Sequence, residues 1–289
     1  MGKFILVKYG NKYPEDKKPF IEEIAGHFDV RNIKPKYNYS LHTEYSITKR
    51  EFNSIHLKDC DEIKRANYKG IPKLWFNEKW AKEFVKFIKN LTSGKKPPTI
   101  IEIHPPYRDY SGSIDNFLDI YKIFEEEILE IFSNAQIVFE NRYKTYYTPS
   151  QFLISKINDL ENLIEGLEKR KFLLSVVLDI PQLFSAHNIG LEESKIIALL
   201  DKIKELRDYI IGIHMWGKTK KPGGGVAAHT GDLNSFFQFN SEIKNLFLQK
   251  LKEAFDDPKE RYLVLEVNSG LPDFLSIYND FLSAGFNFE

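Results

Sequence analysis

Short apolar runs alternate along this chain with longer segments whose apolar residues recur every three or four positions. FILVKYG at 4–10, NYSLH at 38–42, TIIEIH at 99–104, IVFENR at 137–142, FLLSVVLDI at 172–180, IIGIH at 210–214 and YLVLEVN at 262–268 are too short for independent helices. They are rich in β-branched residues and predict strands, the most continuous of them covered on both faces. Phe28 to Ile33 predicts one further short strand, limited by Pro35. Between the strands, Phe20 to His27 reads as a short helix on Ile21, Ile24 and Ala25. Asn77 caps a helix carrying Trp80, Phe84, Phe87, Ile88 and Leu91 on one face, and Gly94 ends it. Ser113 opens the next, with Phe117, Leu118, Tyr121, Phe124 and Ile128 in its stripe. Thr148, Pro149 and Gln151 form a capping-box signature ahead of Ile154, Ile157, Leu160, Leu163 and Leu167. Helical periodicity returns at 191–209, 243–255 and 272–282. Residues 43–76 follow neither period and predict an irregular excursion in which Lys and Arg outnumber the acids.

Strands alternating with amphipathic helices at this spacing predict parallel βα units, and eight of them predict a closed (β/α)8 TIM barrel spanning 1–289 as one domain. No 20 to 50 residue repeat and no low-complexity linker divides the chain. Lys plus Arg and Asp plus Glu number 41 each, which excludes a global cationic field and makes any anion site local. The single Cys60 excludes an internal disulfide framework and fits a reducing compartment. No apolar run approaches the ~18 residues of a membrane span. These features predict a soluble, cytoplasmic protein with no membrane partner, and leave its oligomeric state open.

Chemistry concentrates where the predicted strands end, at His42, His104, Glu140, Asp179, His214 and Glu266. A carboxylate that follows several buried apolar residues, as in IVFE, VVLD and LVLE, is costly to desolvate unless it is paired or holds a cation. Taken singly, each has an ordinary explanation, such as a pair between Glu140 and Arg142. In a parallel barrel, however, the strand ends converge on one mouth. Mixed imidazole and carboxylate ligands predict one or two divalent ions, with Zn²⁺ first and Mn²⁺, Co²⁺ or Fe²⁺ as alternatives, rather than Ca²⁺. Lys218, Lys220 and Lys221 beside Gly223 to Gly225 predict a phosphate-holding loop, the alternative being a solvated loop without a specific role. His229 and Asp232 are candidates for an outer contact or a proton relay.

The strand-end series resembles the xylose-isomerase-like metal-dependent barrels, which include endonuclease IV and the ketose epimerases. The resemblance implies that Glu140, Asp179, His214 and Glu266 are ligands ending strands five to eight. His42 in LHTEY and His104 in IHPP are similar to the two additional histidines of the endonuclease IV branch. The likeness then departs from that branch. Gln182 stands where a third-site histidine is expected, Ala227 stands for an aspartate in VAAH, and only His229 remains; His187 is wrongly spaced to compensate. What the resemblance implies is a metal-dependent phosphodiesterase acting on abasic or otherwise damaged nucleic acid through a metal-activated water. Glu140 would bridge one ion on His42 and His104 and another on Asp179, His214 and Glu266. Lys218, Lys220, Gln182 and Tyr45, which lies three residues past His42, would contact the substrate, and His229 would move a proton. The alternative is a sugar or sugar-phosphate isomerase or epimerase in which Glu140 and Glu266 exchange a proton beside a carbonyl. An iron oxidase and a non-catalytic binding barrel complete the set of readings.

Overall fold

The computed structural model describes residues 2–288. Among the described residues, eight strands build the main sheet: β1 (Lys3–Tyr9), β2 (Ile21–Gly26), β3 (Asn38–Thr43), β4 (Ile100–Ile103), β5 (Gln136–Glu140), β6 (Ser175–Asp179), β7 (Ile210–Met215) and β8 (Glu260–Leu265). Each hydrogen-bonds to the next in chain order, and β8 returns to β1, so the sheet closes as a (β/α)8 barrel. A short strand, Asn287–Phe288, is added beside the start of β1. Helices α1 (Glu78–Thr92), α2 (Ile114–Ile131), α3 (Ile157–Arg170), α4 (Glu193–Leu206), α5 (Ser241–Ala254) and α6 (Leu271–Ser283) follow the strands from β3 onward. Asn77 caps α1 by accepting from Trp80 N, and Ser113 caps α2 by accepting from Asn116 N.

The chain packs as two compact units, Ile24–Val176 and the segments that run up to Glu23 and resume at Val177. Within the first, Trp75, Trp80, Phe84, Phe117 and Phe124 pack ring against ring at centroid separations of 4.8 to 5.7 Å. Within the second, Phe184, Phe236, Phe237 and Phe247 do the same. That unit also buries Arg261 completely. Its guanidinium meets Asp257 through two bonds of 2.6 and 2.7 Å and donates to the carbonyls of Ile210 and Arg207 at 3.0 Å.

Three segments differ from the sequence expectation. Phe20 to His27 is not helical: Ile21–Gly26 is strand β2, in register with β1 through Val7 with Ile21 and Tyr9 with Glu23. Four apolar residues in eight cannot separate the helical from the extended period, and pairing with β1 decides it. Phe28 to Ile33 is accordingly a connection, in which buried Phe28 and Ile33 act as anchors. The capping signature at Thr148 is not used either, because α3 begins only at Ile157. Tyr107 stacks on Tyr147 and Phe152 at 4.0 and 4.6 Å, and Arg108 N and Leu153 N bond to Gln151 O and Pro106 O. These contacts hold 147–153 as a loop, and Asp159 receives Ser155 N and Lys156 N where the helix starts.

Removing one partner of a buried, fully bonded ion pair strands the other. Arg261→Ala is expected to lower unfolding stability in urea by about 3–5 kcal/mol, while Lys250→Ala on an exposed pair leaves it close to the wild-type value.

Candidate metal centre

Register places the first set of ligands. His42 on β3 pairs with Glu102 on β4, and Glu102 with Val138 on β5. Neighbours in register point to the same face, as do residues two apart on a strand. Glu102 and His104 therefore share a face with His42, and Glu140, two beyond Val138, joins them. All four side chains are buried, and their donor atoms lie within 4.8 Å of one another. His104 Nε2 is 2.9 Å from His42 Nε2 and 2.7 Å from Glu140 Oε2. His42 Nε2 is 3.4 Å from both Glu140 Oε2 and Glu102 Oε1, and His104 Nε2 is 3.9 Å from Glu102 Oε1.

Protonation decides what this packing means. His104 Nδ1 lies 3.1 Å from the Glu44 backbone carbonyl, which can only accept, so Nδ1 carries the proton. In the neutral ring Nε2 then presents a lone pair to the Glu140 carboxylate 2.7 Å away. Two lone pairs at that distance repel unless a proton or a metal ion lies between them. An imidazolium is disfavoured, since burial lowers the His104 pKa to about 4 despite the opposing pull of Glu140. Glu140 is held well below the usual carboxylate range: burial raises it, and the Arg142 guanidinium beside it leads the groups that lower it. The donor set thus fits a divalent metal ion.

The irregular excursion supplies the shell behind these ligands. Trp75 Nε1 donates to the His104 carbonyl at 2.7 Å, and Trp75 itself adopts a left-handed φ of 58°. The Glu44 carboxylate takes Arg50 Nε and Phe28 N at 3.0 Å, so Glu44 serves the cluster through its carbonyl rather than its side chain. Burial pushes the Glu44 carboxyl up, against the Arg50 pair. Arg142 NH1 anchors Glu140 Oε1 at 3.0 Å. Half-buried Tyr45 packs against the rings of His27, His42 and His104 at 4.6, 5.5 and 5.6 Å, with the Arg142 and Arg50 guanidinium groups 4.7 and 5.3 Å from its centroid.

In the other unit, His214 of β7 pairs with Val264 of β8, and Val7 of β1 pairs with Val264 as well. Glu266 lies two beyond Val264, while Glu23 is in register with Tyr9, two beyond Val7. Glu23, His214 and Glu266 form a second set of close donors, with His214 Nδ1 3.4 Å from Glu266 Oε1 and His214 Nε2 3.9 Å from Glu23 Oε2. His229 Nδ1 lies 3.1 Å from the Glu266 carbonyl and 3.4 Å from its Oε2, with its ring 4.5 Å from Trp216. Asp179, at the end of β6, receives Gln182 N at 2.8 Å and Trp216 Nε1 at 3.1 Å, and belongs to neither close set. Asp232 is a helix cap: Ser235 N, Asn234 Nδ2 and Ser276 Oγ bond to its carboxylate. The glycine loop is a hairpin, Lys218–Lys220 against Val226–Ala228. Half-buried Lys218 has its Nζ 4.2 Å from the centre of the Phe236 ring, while Lys220 and Lys221 are exposed.

Sequence reasoning missed Glu102 and Glu23. The signal for Glu102 was present, since TIIEIH places it two residues before His104. Glu23 was hidden by the helical reading of its segment.

No family model matches the chain, and no curated protein matches it in sequence. Among solved structures, the catalytic core of xylanase A aligns with 91% of this chain and 96% of that chain, at 11% identity and a TM-score of 0.45. A likeness of that size assigns no function.

The lowered pKa values of His104, about 4, and His27, about 2, have a consequence for the metal-free protein. Both result first from burial, and both lie below the unfolded value near 6.5. Stability is full above about pH 6.5 and falls as pH drops toward 4, because the unfolded chain takes up protons that the native chain refuses. Chemical denaturation of chelator-treated protein from pH 7.5 to 4.5 is expected to show this fall, with a shallower slope in His104→Gln. A flat profile would contradict the assigned protonation.

Proposed function

We propose that this barrel is a divalent-metal-dependent hydrolase of phosphodiesters, similar to endonuclease IV, acting on abasic or otherwise damaged nucleic acid. One observation carries the reading: His42 and His104, the histidines that set the endonuclease IV branch apart in the sequence resemblance, meet Glu140 in one buried donor set. A divalent ion there would supply Lewis acidity, polarising a phosphoryl oxygen and lowering the pKa of water.

The protein's own residues hold that chemistry in place. The Glu44 carbonyl fixes the tautomer of His104, Trp75 fixes the backbone behind it, and Arg142 orients Glu140. Tyr45, beside the Arg50 and Arg142 guanidinium groups, is the proposed aromatic contact to an exposed base or sugar. In the other unit, Asp179, His214 and Glu266 remain the ligands carried over from the resemblance, with Glu23 added by geometry. His229, with Nδ1 facing the Glu266 carbonyl, keeps a proton-accepting lone pair on Nε2. Lys218, Lys220 and Gln182 are the proposed phosphate and substrate contacts.

The test is incubation of the full chain with duplex DNA bearing a single abasic site, with Zn²⁺ or Mn²⁺ added, beside a panel of ketoses and ketose phosphates. Strand cleavage is expected, lost with chelator and restored by metal, and reduced at least about a hundredfold by Glu140→Gln with circular dichroism unchanged. Ketose turnover without DNA cleavage, or cleavage indifferent to chelator, would overturn the proposal.

A further inference from the structure

The three ligands His42, His104 and Glu140 would leave a tetrahedral ion one open place. Glu102 lies within the same set. It sits inside β4 between Ile101 and Ile103, both fully buried, and is itself 2% exposed. Its Oε1 is 3.4 Å from His42 Nε2 and 3.9 Å from His104 Nε2. A carboxylate in the middle of a buried strand is an expensive choice unless it is paired, hydrogen-bonded or bound to a cation.

The spacing of the donors also speaks against a tetrahedron. With metal–ligand bonds of about 2.1 Å, the 2.7 and 2.9 Å separations around His104 subtend roughly 80–90°. The 3.4 Å separations subtend roughly 108°, and the 3.9 Å separation roughly 135°. A tetrahedron would make all of these near 109°, whereas angles near 90° belong to higher coordination numbers.

Resting on the metal reading above, we infer that Glu102 is a fourth protein ligand, and that the His42, Glu102, His104 and Glu140 set takes a divalent ion of coordination number above four, of the Mn²⁺ or Fe²⁺ class, with the remaining places open to small oxygen ligands. Two carboxylates beside two imidazoles suit such an ion.

Binding of Mn²⁺ to the full chain, followed by electron paramagnetic resonance of free Mn²⁺, tests this directly. The phase that disappears in His104→Ala is the phase belonging to this site. Glu102→Gln, which keeps size and hydrogen bonding, is expected to weaken that phase at least tenfold in Mn²⁺ affinity and to weaken Zn²⁺ affinity less. Equal Mn²⁺ affinity in wild type and Glu102→Gln would overturn the inference while leaving the metal site standing. Absence of any His104-dependent phase would overturn both. Should Glu102→Gln fail to fold, the visible spectrum of Co²⁺ in the wild type, less that of His104→Ala, decides the matter: weak absorption of a five- or six-coordinate ion supports the inference, and the intense band of a tetrahedral ion overturns it.

Discussion

One hydrogen bond organises the chemistry described above, the donation from His104 Nδ1 to the Glu44 carbonyl. Because a carbonyl can only accept, the bond places the ring proton away from the cluster and turns the Nε2 lone pair toward Glu140. Burial then discourages a second proton. The result is a buried imidazole and a buried carboxylate 2.7 Å apart, in a donor set that could hold a metal ion. Much of the surrounding structure serves this arrangement: Trp75 restrains the His104 carbonyl, the pair of Arg50 with Glu44 holds the segment that presents the Glu44 carbonyl, and Arg142 restrains Glu140.

The excursion after β3 accordingly has a structural role. Glu44, Tyr45, Arg50 and Trp75 all come from a stretch with no regular period, and each touches a candidate ligand or a residue that positions one. Left-handed backbone at Trp75 is a cost of this geometry. The aromatic packing of Trp75 against Trp80, Phe117 and Phe124 provides the compensating contacts.

The barrel was legible in the sequence because most of its strands are continuous apolar runs and most of its helices carry clear stripes and caps, as at Asn77 and Ser113. β2 was not legible. Its six residues carry two glutamates and too few apolar positions to define a period, and its extended form comes from pairing with β1. Glu23 was lost with it. At Thr148 a sound local signal lost to a tertiary one, the stacking of Tyr107 on Tyr147 and Phe152. The strand-end residues His104 and Glu140 were visible because each ends a largely apolar run, and His42 because it ends a predicted strand. The Glu44 carbonyl, a backbone group, left no mark in the sequence.

The central claim is that the lone pair of His104 Nε2 is directed at a metal ion. Anomalous diffraction from crystals of the wild-type chain grown with Mn²⁺, with data on both sides of the manganese edge, tests it most directly. A manganese peak bonded to His42 Nε2, His104 Nε2 and a Glu140 oxygen is expected, with His104 Nδ1 still on the Glu44 carbonyl. A structure with no peak there, in which His104 has turned to donate a hydrogen bond to Glu140, would contradict it.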